Sequence, residues 1–243
     1  MKYFYLNNLR EFIGKSSLAT KLIRPLYHCT IKKWKKQTEK KKFKENAQNV
    51  LESFVKCMDD NNLYYTLAFG SLLGAVREKG FIKHDMDIDV FMWAEDYNPS
   101  IVACLESSGF KLEHEFIVKG GVLGREQTFV KNDIGIDIFY IYPPINELPY
   151  CCDFIMVNDC TSFESQMKKH GGVACRRIEL PFKKGRKLTK FEDLEVYIPT
   201  NSDELLKFRY GDDYMIPNPK WTPGKTNKYI INWNGVLGKY QSY

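Results

Sequence analysis

Apolar residues along the chain repeat first at helical spacing and then at strand spacing. A helix is predicted up to a polar turn at 59–62, because one apolar face collects Ala47, Val50, Leu51, Phe54, Val55 and Met58. Short apolar runs then predict strands over 63–69, 87–93, 110–118, 125–131 and 135–142, and helices over 71–78 and 99–108. After Pro149 the pattern is irregular, and only two short helices are predicted, near 163–169 and 203–208. Interleaved strands and helices of this kind predict an α/β or α+β domain built on a sheet.

The N-terminal segment has a different pattern and a strong positive charge. Over residues 1 to about 30, apolar and basic side chains are interspersed at spacings of three and four, which predicts one or two amphipathic helices, broken or kinked at Pro25. Residues 1–56 contain 14 Lys and Arg against 4 Glu, whereas the rest of the chain contains 22 basic against 26 acidic residues. We therefore expect a basic helical arm over 1–45 and a sheet domain over 46–243.

Three interpretations of the lysine-rich run at 32–44 remain open. A solvated helical face is the simplest of them. Basic amphipathic segments also bind anionic membrane surfaces, and the run could equally contact a lipid-linked substrate. Nucleic acid is the third candidate partner, but no RNA-recognition motif or zinc finger supports it.

Length and composition narrow the class of protein. The chain has 243 residues, of which 44% are hydrophobic and 14% aromatic, as in ordinary globular proteins. No apolar run approaches the ~20 residues of a membrane-spanning helix, and the N-terminus is too poor in apolar residues for a secretory signal, so we expect a cytoplasmic location. Seven cysteines, an odd number, suggest reduced thiols. Two interpretations apply to Cys151, Cys152, Cys160 and Cys175. They could form a zinc site, or they could be small buried residues, since C-x-x-C spacing is absent.

The segment from residue 67 to 93 carries the main chemical signal. Asp87 and Asp89 stand two apart in an apolar strand, so their side chains leave the same face. Adjacent carboxylates repel each other unless a cation lies between them, and a hard divalent ion such as Mg²⁺ or Mn²⁺ prefers oxygen ligands. Upstream, Gly70 and Ser71 open a helix whose free N–H groups suit a phosphate. This combination is typical of metal-assisted phosphoryl chemistry.

A third carboxylate lies in the strand predicted at 135–142. Asp137 is flanked by Ile136 and Ile138, and an aspartate inside an apolar strand is costly to bury unless it is paired or metal-bound. If this strand lies beside the one at 87–93, three carboxylates converge on one point. The alternative is an edge strand whose aspartate faces solvent.

Four stretches of the chain together carry a family resemblance: GSLLGAVREKGFI at 70–82, HDMDID at 84–89, IDIF at 136–139 and YGDDYMIP at 210–217. They resemble the nucleotidyltransferase-like superfamily and, within it, the LicD/fukutin family of phosphotransferases. The acid box of that family usually reads WDDDID, so His84 replaces the aromatic residue and Met86 replaces an acid. Met86 alternates with Asp85 and Asp87 and points away from them, so we expect the metal pair to survive.

The resemblance implies a nucleotidyltransferase-like mixed β-sheet flanked by helices. It also implies transfer of a phospho-alcohol, such as phosphocholine or ribitol phosphate, from a CDP-activated donor to a hydroxyl of a glycan or lipid-linked glycan. Asp87, Asp89 and Asp137 are the candidate catalytic residues and the candidate ligands of Mg²⁺ or Mn²⁺. Asp137 could instead take the proton of the attacking hydroxyl.

The remaining candidates surround these aspartates. Gly70 and Ser71 are expected to bind a donor phosphate through N–H groups and the hydroxyl. Arg77 could reach a phosphate bidentately, or it could be a plain surface residue. Asp85 shares a face with the metal pair and is a candidate outer ligand. His84 could act as general acid or base, although a histidine beside carboxylates more often only hydrogen-bonds them.

Weaker signals leave other readings open. The family match suggests that the stretch at 210–217 folds back over the site, with Asp212, Asp213 or Trp221 contacting substrate; the alternative is a simple turn. A second possible activity is nucleotidyl transfer from an NTP to a protein, RNA or small molecule. A third reading is a non-catalytic binding module in a glycan-assembly complex, against which the presence of all three aspartates argues.

Overall fold

The computed structural model describes residues 17–83, 85–218, 221 and 230–243, with side chains from Trp34 onward except that of residue 35. Two units divide the chain, Met1–Glu45 and Asn46–Tyr243. The side chains of the predicted amphipathic segment and the whole of His84 lie outside the described part. Within that part, no helix is both long and apolar enough to cross a membrane.

The described chain contains helices and strands in an interleaved order. The helices are α1 (Ser17–Asp60), α2 (Phe69–Arg77), α3 (Ser100–Ser107), α4 (Phe163–His170) and α5 (Ser202–Tyr210). The strands are β1 (Thr66–Leu67), β2 (Ile88–Trp93), β3 (Lys111–Val118), β4 (Gly124–Lys131), β5 (Ile134–Ile141), β6 (Tyr150–Ile155), β7 (Val173–Glu179), β8 (Arg186–Phe191), β9 (Leu194–Pro199) and β10 (Ile230–Ser242). Two short 3₁₀ turns, Ala94–Asp96 and Lys119–Gly121, follow β2 and β3.

Eight strands form one mixed sheet in the order β1-β2-β5-β4-β3-β10-β7-β6, and β8 and β9 form a separate hairpin. Strands β2 and β5 pair in parallel, and the other described pairs are antiparallel. Helices flank the sheet: α2 packs on β2, and α4 on β7 and β10. The predicted mixed sheet flanked by helices is therefore confirmed.

Alternating burial explains why β2 and β5 form where they do. In β5, Ile134, Ile136 and Ile138 are buried, while the residues between them are half-buried on the other face. In β2, Ile88 and Val90 are fully buried in the same way. The apolar face thus enters the core and leaves the aspartates between these residues on the opposite face.

Several predicted elements need correction. The strand predicted at 63–69 is only β1, because the chain enters α2 already at Phe69. The helix α1 continues through Pro25, so a break there, one of the two expectations, is wrong. The irregular structure expected after Pro149 is wrong, since five strands follow. Their charged side chains, such as Arg176 and Arg177 in β7, hide the alternation of buried positions.

Candidate active site

Three predicted aspartates meet where β2 and β5 lie side by side. The parallel register places Asp89 opposite Asp137, between the pairs Ile88–Ile136 and Val90–Ile138. Asp87 stands in the bend just before β2 and is exposed. One carboxylate oxygen from each of Asp87, Asp89 and Asp137 lies within 4.8 Å of the others. The structure therefore brings together the three carboxylates that the sequence singled out.

Burial and mutual repulsion make the charged forms of these carboxylates unfavourable. The pKa of Asp89 is raised well above its ordinary value by burial and then by the charges of Asp87, Asp137 and Asp85. Burial also raises the pKa of Asp137. The pKa of Asp85 rises to about 6, because it is partly buried and lies near Asp87. Among the described residues, no basic side chain forms an ion pair with any of them.

The donor set fits a hard divalent cation. Its atoms are carboxylate oxygens alone, the ligand type that Mg²⁺ and Mn²⁺ prefer over nitrogen and sulfur. A bound cation would also offset the repulsion that raises the pKa of Asp89. The cluster therefore has both the chemistry and the uncompensated charge of a cation site.

Thr128 supports the third aspartate from the neighbouring strand. It lies opposite Asp137 in the antiparallel register of β4 and β5, and its hydroxyl donates a hydrogen bond of 2.6 Å to the Asp137 Oδ1. The same hydroxyl is 3.1 Å from the Nε2 of His114 on β3. The hydrogen bond from Thr128 lowers the pKa of Asp137, whereas burial raises it. A chain of three polar side chains across three strands thus holds the Asp137 carboxylate.

The start of α2 is fixed onto Asp89 rather than left open to solvent. The Ser71 hydroxyl accepts a hydrogen bond of 3.0 Å from the Asp89 N–H, and the Gly70 N–H donates to the Asp89 carboxylate. Phe69 adopts a left-handed φ of 37°, a strained conformation for an aromatic residue, while its ring packs 4.9 Å from that of Phe91. The predicted helix opening is therefore at the site, and its polar groups brace the acid cluster.

The Asp85 carboxylate lies close to the backbone at Gly70. A Cβ added to Gly70 would lie 2.7 Å from the Asp85 Oδ2. Arg77, at the other end of α2, donates from Nη1 to the Tyr214 carbonyl at 3.2 Å and from Nε to Glu78 at 2.9 Å. The Arg77 side chain therefore links α2 to the stretch after α5. Arg77 is not the plain surface residue of the alternative interpretation.

A cavity of about 900 Å³ opens beside the acid cluster. Asp85 and Asp89 lie on one wall, with Gly70 and Arg77. Another part of the lining comes from the end of α5 and the stretch after it, which contribute Tyr210, Asp213, Tyr214, Ile216, Pro217 and Trp221. As the sequence suggested, this stretch faces the site, although Asp212 is not among the residues that line the cavity.

A match to a family model decides what kind of domain this is. The model described as "LicD/FKTN/FKRP, nucleotidyltransferase domain" matches residues 62–201, which include α2, the acid cluster and the strands β1 to β9. The chain belongs to the LicD/fukutin family.

Relatives within the LicD/fukutin family include proteins of animals and bacteria. A mouse (Mus musculus) protein named ribitol-5-phosphate transferase FKTN is 26% identical over 199 residues, or 80% of this chain and 38% of the relative. Its human counterpart is 24% identical over 180 residues, or 74% and 35%. The lipopolysaccharide cholinephosphotransferase LicD of Haemophilus influenzae is 43% identical over 49 residues, or 20% and 18%. The chain thus spans little more than a third of the length of its fukutin relatives.

Beyond the family motifs, the site contains charged residues that the sequence did not reveal. Glu126 on β4 is near enough to Asp137 and Asp89 for their charges, with burial, to raise its pKa well above the ordinary value. Asp153 and Arg176, on β6 and β7, form an ion pair on the cavity wall. Arg209 precedes the YGDD stretch by one residue and also lines the cavity. Of these residues, only Arg209 could have been identified from the sequence, because it directly precedes a matched motif.

The cysteines do not form the zinc site that was one interpretation of the sequence. In the part of the chain that the structure describes, Cys160 groups with Asp159 and His170, and no group joins it to Cys151, Cys152 or Cys175. Those three are buried thiols. A disulfide joins Cys57 to Cys104, a pair for which we expected reduced thiols.

Proposed function

We propose that this protein transfers a phospho-alcohol, such as ribitol phosphate or phosphocholine, from a CDP-activated donor to a hydroxyl of a glycan or lipid-linked glycan. The observation that supports this proposal most directly is the convergence of Asp87, Asp89 and Asp137 beside a cavity of about 900 Å³. The family, and its members that are named as a ribitol-5-phosphate transferase and a lipopolysaccharide cholinephosphotransferase, support phosphate-group transfer onto glycans. The activity is proposed for this chain alone, because the chain spans only 38% of the mouse relative and 35% of the human one.

Asp87, Asp89 and Asp137 are the residues that would hold Mg²⁺ or Mn²⁺. When bound, such an ion neutralises charge on the phosphates and on the departing CMP. The chain must keep these carboxylates ionised in a partly buried site, and the hydrogen bond from Thr128 to Asp137 favours the ionised form.

Asp137 has a second possible role. Burial raises its pKa above the ordinary value, which makes it a stronger proton acceptor than a solvent-exposed aspartate. It either completes the cation site or takes the proton from the attacking hydroxyl. Asp85, whose pKa is about 6, is placed to assist as an outer acid.

The groups at the start of α2 are proposed to serve the site by positioning it. Ser71 and Gly70 hold Asp89, and Gly70 leaves room for Asp85. Arg77 joins α2 to the cavity wall that carries Tyr214. Donor phosphates would approach the N-terminal end of α2, where the helix dipole favours negative charge.

A donor panel tests this proposal. Purified protein with Mn²⁺ is incubated with CDP-ribitol, CDP-choline and CDP-glycerol, and CMP release is followed with and without glycan acceptors. We expect release with at least one donor and its loss in EDTA. Asp89→Asn should abolish release, whereas Asp96→Asn, which changes an exposed aspartate beyond the other end of β2, should retain it. Release that persists unchanged in EDTA and in the Asp89 variant would contradict the proposal.

Nucleotidyl transfer remains the second candidate, because the matched family domain is named a nucleotidyltransferase domain. Incubation with labelled NTPs separates the two, since nucleotidyl transfer releases pyrophosphate and phospho-alcohol transfer releases CMP. A protein that consumes NTPs but no CDP-alcohol would favour the second candidate. Full function of an Asp87→Asn variant would instead favour the non-catalytic binding module.

We also propose that the basic N-terminal segment binds an anionic membrane surface. Residues 1–56 carry an excess of 10 positive charges, and basic segments are attracted to anionic lipid. The full chain should sediment with anionic vesicles at low salt, and less so with zwitterionic vesicles or at high salt. Replacing Lys32, Lys33 and Lys35 by Gln should weaken sedimentation; equal sedimentation in all arms would contradict the proposal. The cytoplasmic location predicted from the sequence stays a prediction.

A further inference from the structure

Arg209 is a cavity residue with two guanidinium nitrogen atoms that have no hydrogen-bond partner in the protein. Its Nε and Nη1 atoms are buried, and neither has a hydrogen-bond partner. A buried guanidinium with unpaired donors is costly, because each lost hydrogen bond to solvent must be replaced. The residue lies at the end of α5 on the wall of the same cavity as Asp85 and Asp89. Its unpaired donors therefore need a partner that enters the cavity.

The other two arginines of the cavity already have protein partners. Arg176 forms an ion pair with Asp153. Arg77 donates to the Tyr214 carbonyl and to Glu78. Of the arginines lining the described cavity, Arg209 is thus the one with buried, unpaired nitrogen atoms.

Aromatic rings hold the Arg209 guanidinium in place. Its Cζ lies 5.0 Å from the ring centre of Phe69 and 5.7 Å from that of Trp221. The Trp221 ring in turn packs 4.6 Å from the ring of Tyr210. Arginine stacks on aromatic faces and still presents its in-plane N–H groups, so this packing orients the donors without using them.

Tyr210 lines the same cavity as Arg209, Asp85 and Asp89. The charges of these three residues all act on its hydroxyl. Burial raises the pKa of Tyr210, so the hydroxyl stays protonated and can donate a hydrogen bond. Arg209 and Tyr210 together offer a cation and a neutral donor on one side of the cavity.

We propose that Arg209 and Tyr210 form an anion subsite that binds a phosphate group of the substrate, in the same cavity as Asp85 and Asp89. A phosphate ester fits because it can accept hydrogen bonds from the Arg209 fork and the Tyr210 hydroxyl at once. The subsite complements the cation site, since a phosphorylated ligand would interact with a bound cation and with the Arg209 guanidinium. This inference rests on the proposed phosphate transfer but predicts binding that can be measured without turnover.

The test measures equilibrium binding by calorimetry, with Mg²⁺ present, for CDP, inorganic pyrophosphate and the uncharged nucleoside cytidine. Arg209→Gln should weaken CDP and pyrophosphate binding by about 10- to 100-fold, the loss expected for hydrogen bonds to a charged group. Cytidine binding should change less than about twofold, because cytidine has no phosphate. Arg209→Lys should recover part of the lost affinity, since it keeps the charge but not the fork.

Arg186→Gln is the matched control. Arg186 also stacks on an aromatic ring, 3.8 Å from the centre of Tyr197, but it does not line the cavity. Thermal melting of each variant separates loss of folding from loss of binding, and the control should bind CDP as the wild type does. If a folded Arg209→Gln protein binds CDP and pyrophosphate within about twofold of wild type, or if the wild type binds neither, the subsite is refuted.

The outcome for the subsite can be told apart from the outcome for the proposed function. If binding depends on Arg209 but no CDP-alcohol releases CMP, the subsite stands and the transfer reaction does not. If CMP is released and Arg209→Gln leaves both kcat and KM unchanged, the reaction stands and the subsite does not.

Discussion

Replacing Thr128 by valine tests whether the polar chain from His114 to Asp137 controls the acid cluster. Valine has the shape of threonine without the hydroxyl, so at this buried position the change removes the 2.6 Å hydrogen bond to Asp137 and the 3.1 Å contact with His114. Hydrogen bonds to charged groups contribute about 1.5–3 kcal/mol. Their loss should raise the proton affinity of the Asp137 carboxylate by about 10- to 100-fold, because about 1.4 kcal/mol corresponds to a factor of ten.

The readout is Mn²⁺ binding as a function of pH. Protons compete with Mn²⁺ for the carboxylate, so the pH at which Thr128→Val binds half-maximally should move upward. Below that midpoint its apparent affinity for Mn²⁺ should fall by up to the same about 10- to 100-fold, while well above it the variant and wild type should bind alike.

Thr128→Ser is the matched control because it keeps the hydroxyl. Its pH midpoint should stay close to that of the wild type, and both variants should remain folded by circular dichroism. The reasoning is refuted if the valine midpoint does not move, or if the serine midpoint moves as far. In either case the hydrogen bond would not set the charge state of Asp137.

Three further predictions concern stability. Gly74→Ala should lower the free energy of unfolding by about 1–3 kcal/mol in urea titrations. The new Cβ would lie 2.4 Å from the Gly80 carbonyl oxygen, so the backbone must move. An unchanged free energy of unfolding would contradict this contact. Asp89→Asn should raise the melting temperature in EDTA while abolishing donor turnover, since it removes a buried carboxylate repelled by its neighbours; a lower melting temperature would argue against uncompensated charge. The pKa of Asp85 is about 6, above its unfolded value of 3.8, so its contribution favours the folded state at acidic pH and is lost as pH rises through about 6. In EDTA, Asp85→Asn should therefore be more stable relative to wild type at about pH 7.5 than at about pH 4, and a pH-independent difference would refute the assignment.

Local pattern was enough to locate the acid cluster, because the information lies within single strands. Isoleucines on both sides of Asp137 require one face of β5 to be buried, and the aspartate then takes the other face. The sequence did not predict that β5 pairs with β2. The three carboxylates were expected to converge only if these two strands lay side by side. The condition is met because both strands bury the same kind of alternating apolar residues against the core.

The part of the site that the sequence did not reveal depends on contacts between distant segments. Arg209 reads as an ordinary charged residue in a short helix, and only the packing of α5 near α2 brings it over the Phe69 ring. Glu126 and Thr128 share a face of β4, but Arg125 and Gln127 on the other face are also polar and buried. With polar residues on both faces, no alternation marks which side carries the chemistry.

The position of β5 in the sheet has a consequence for how the protein acquires its activity. β5 lies between β2 and β4, so β2 can pair with it only after β3 and β4 have also been synthesised. During synthesis, Asp87 and Asp89 leave the ribosome long before Asp137 can join them. A chain truncated before Ile134 would therefore keep the acid box that marks the family and yet have no complete cation site.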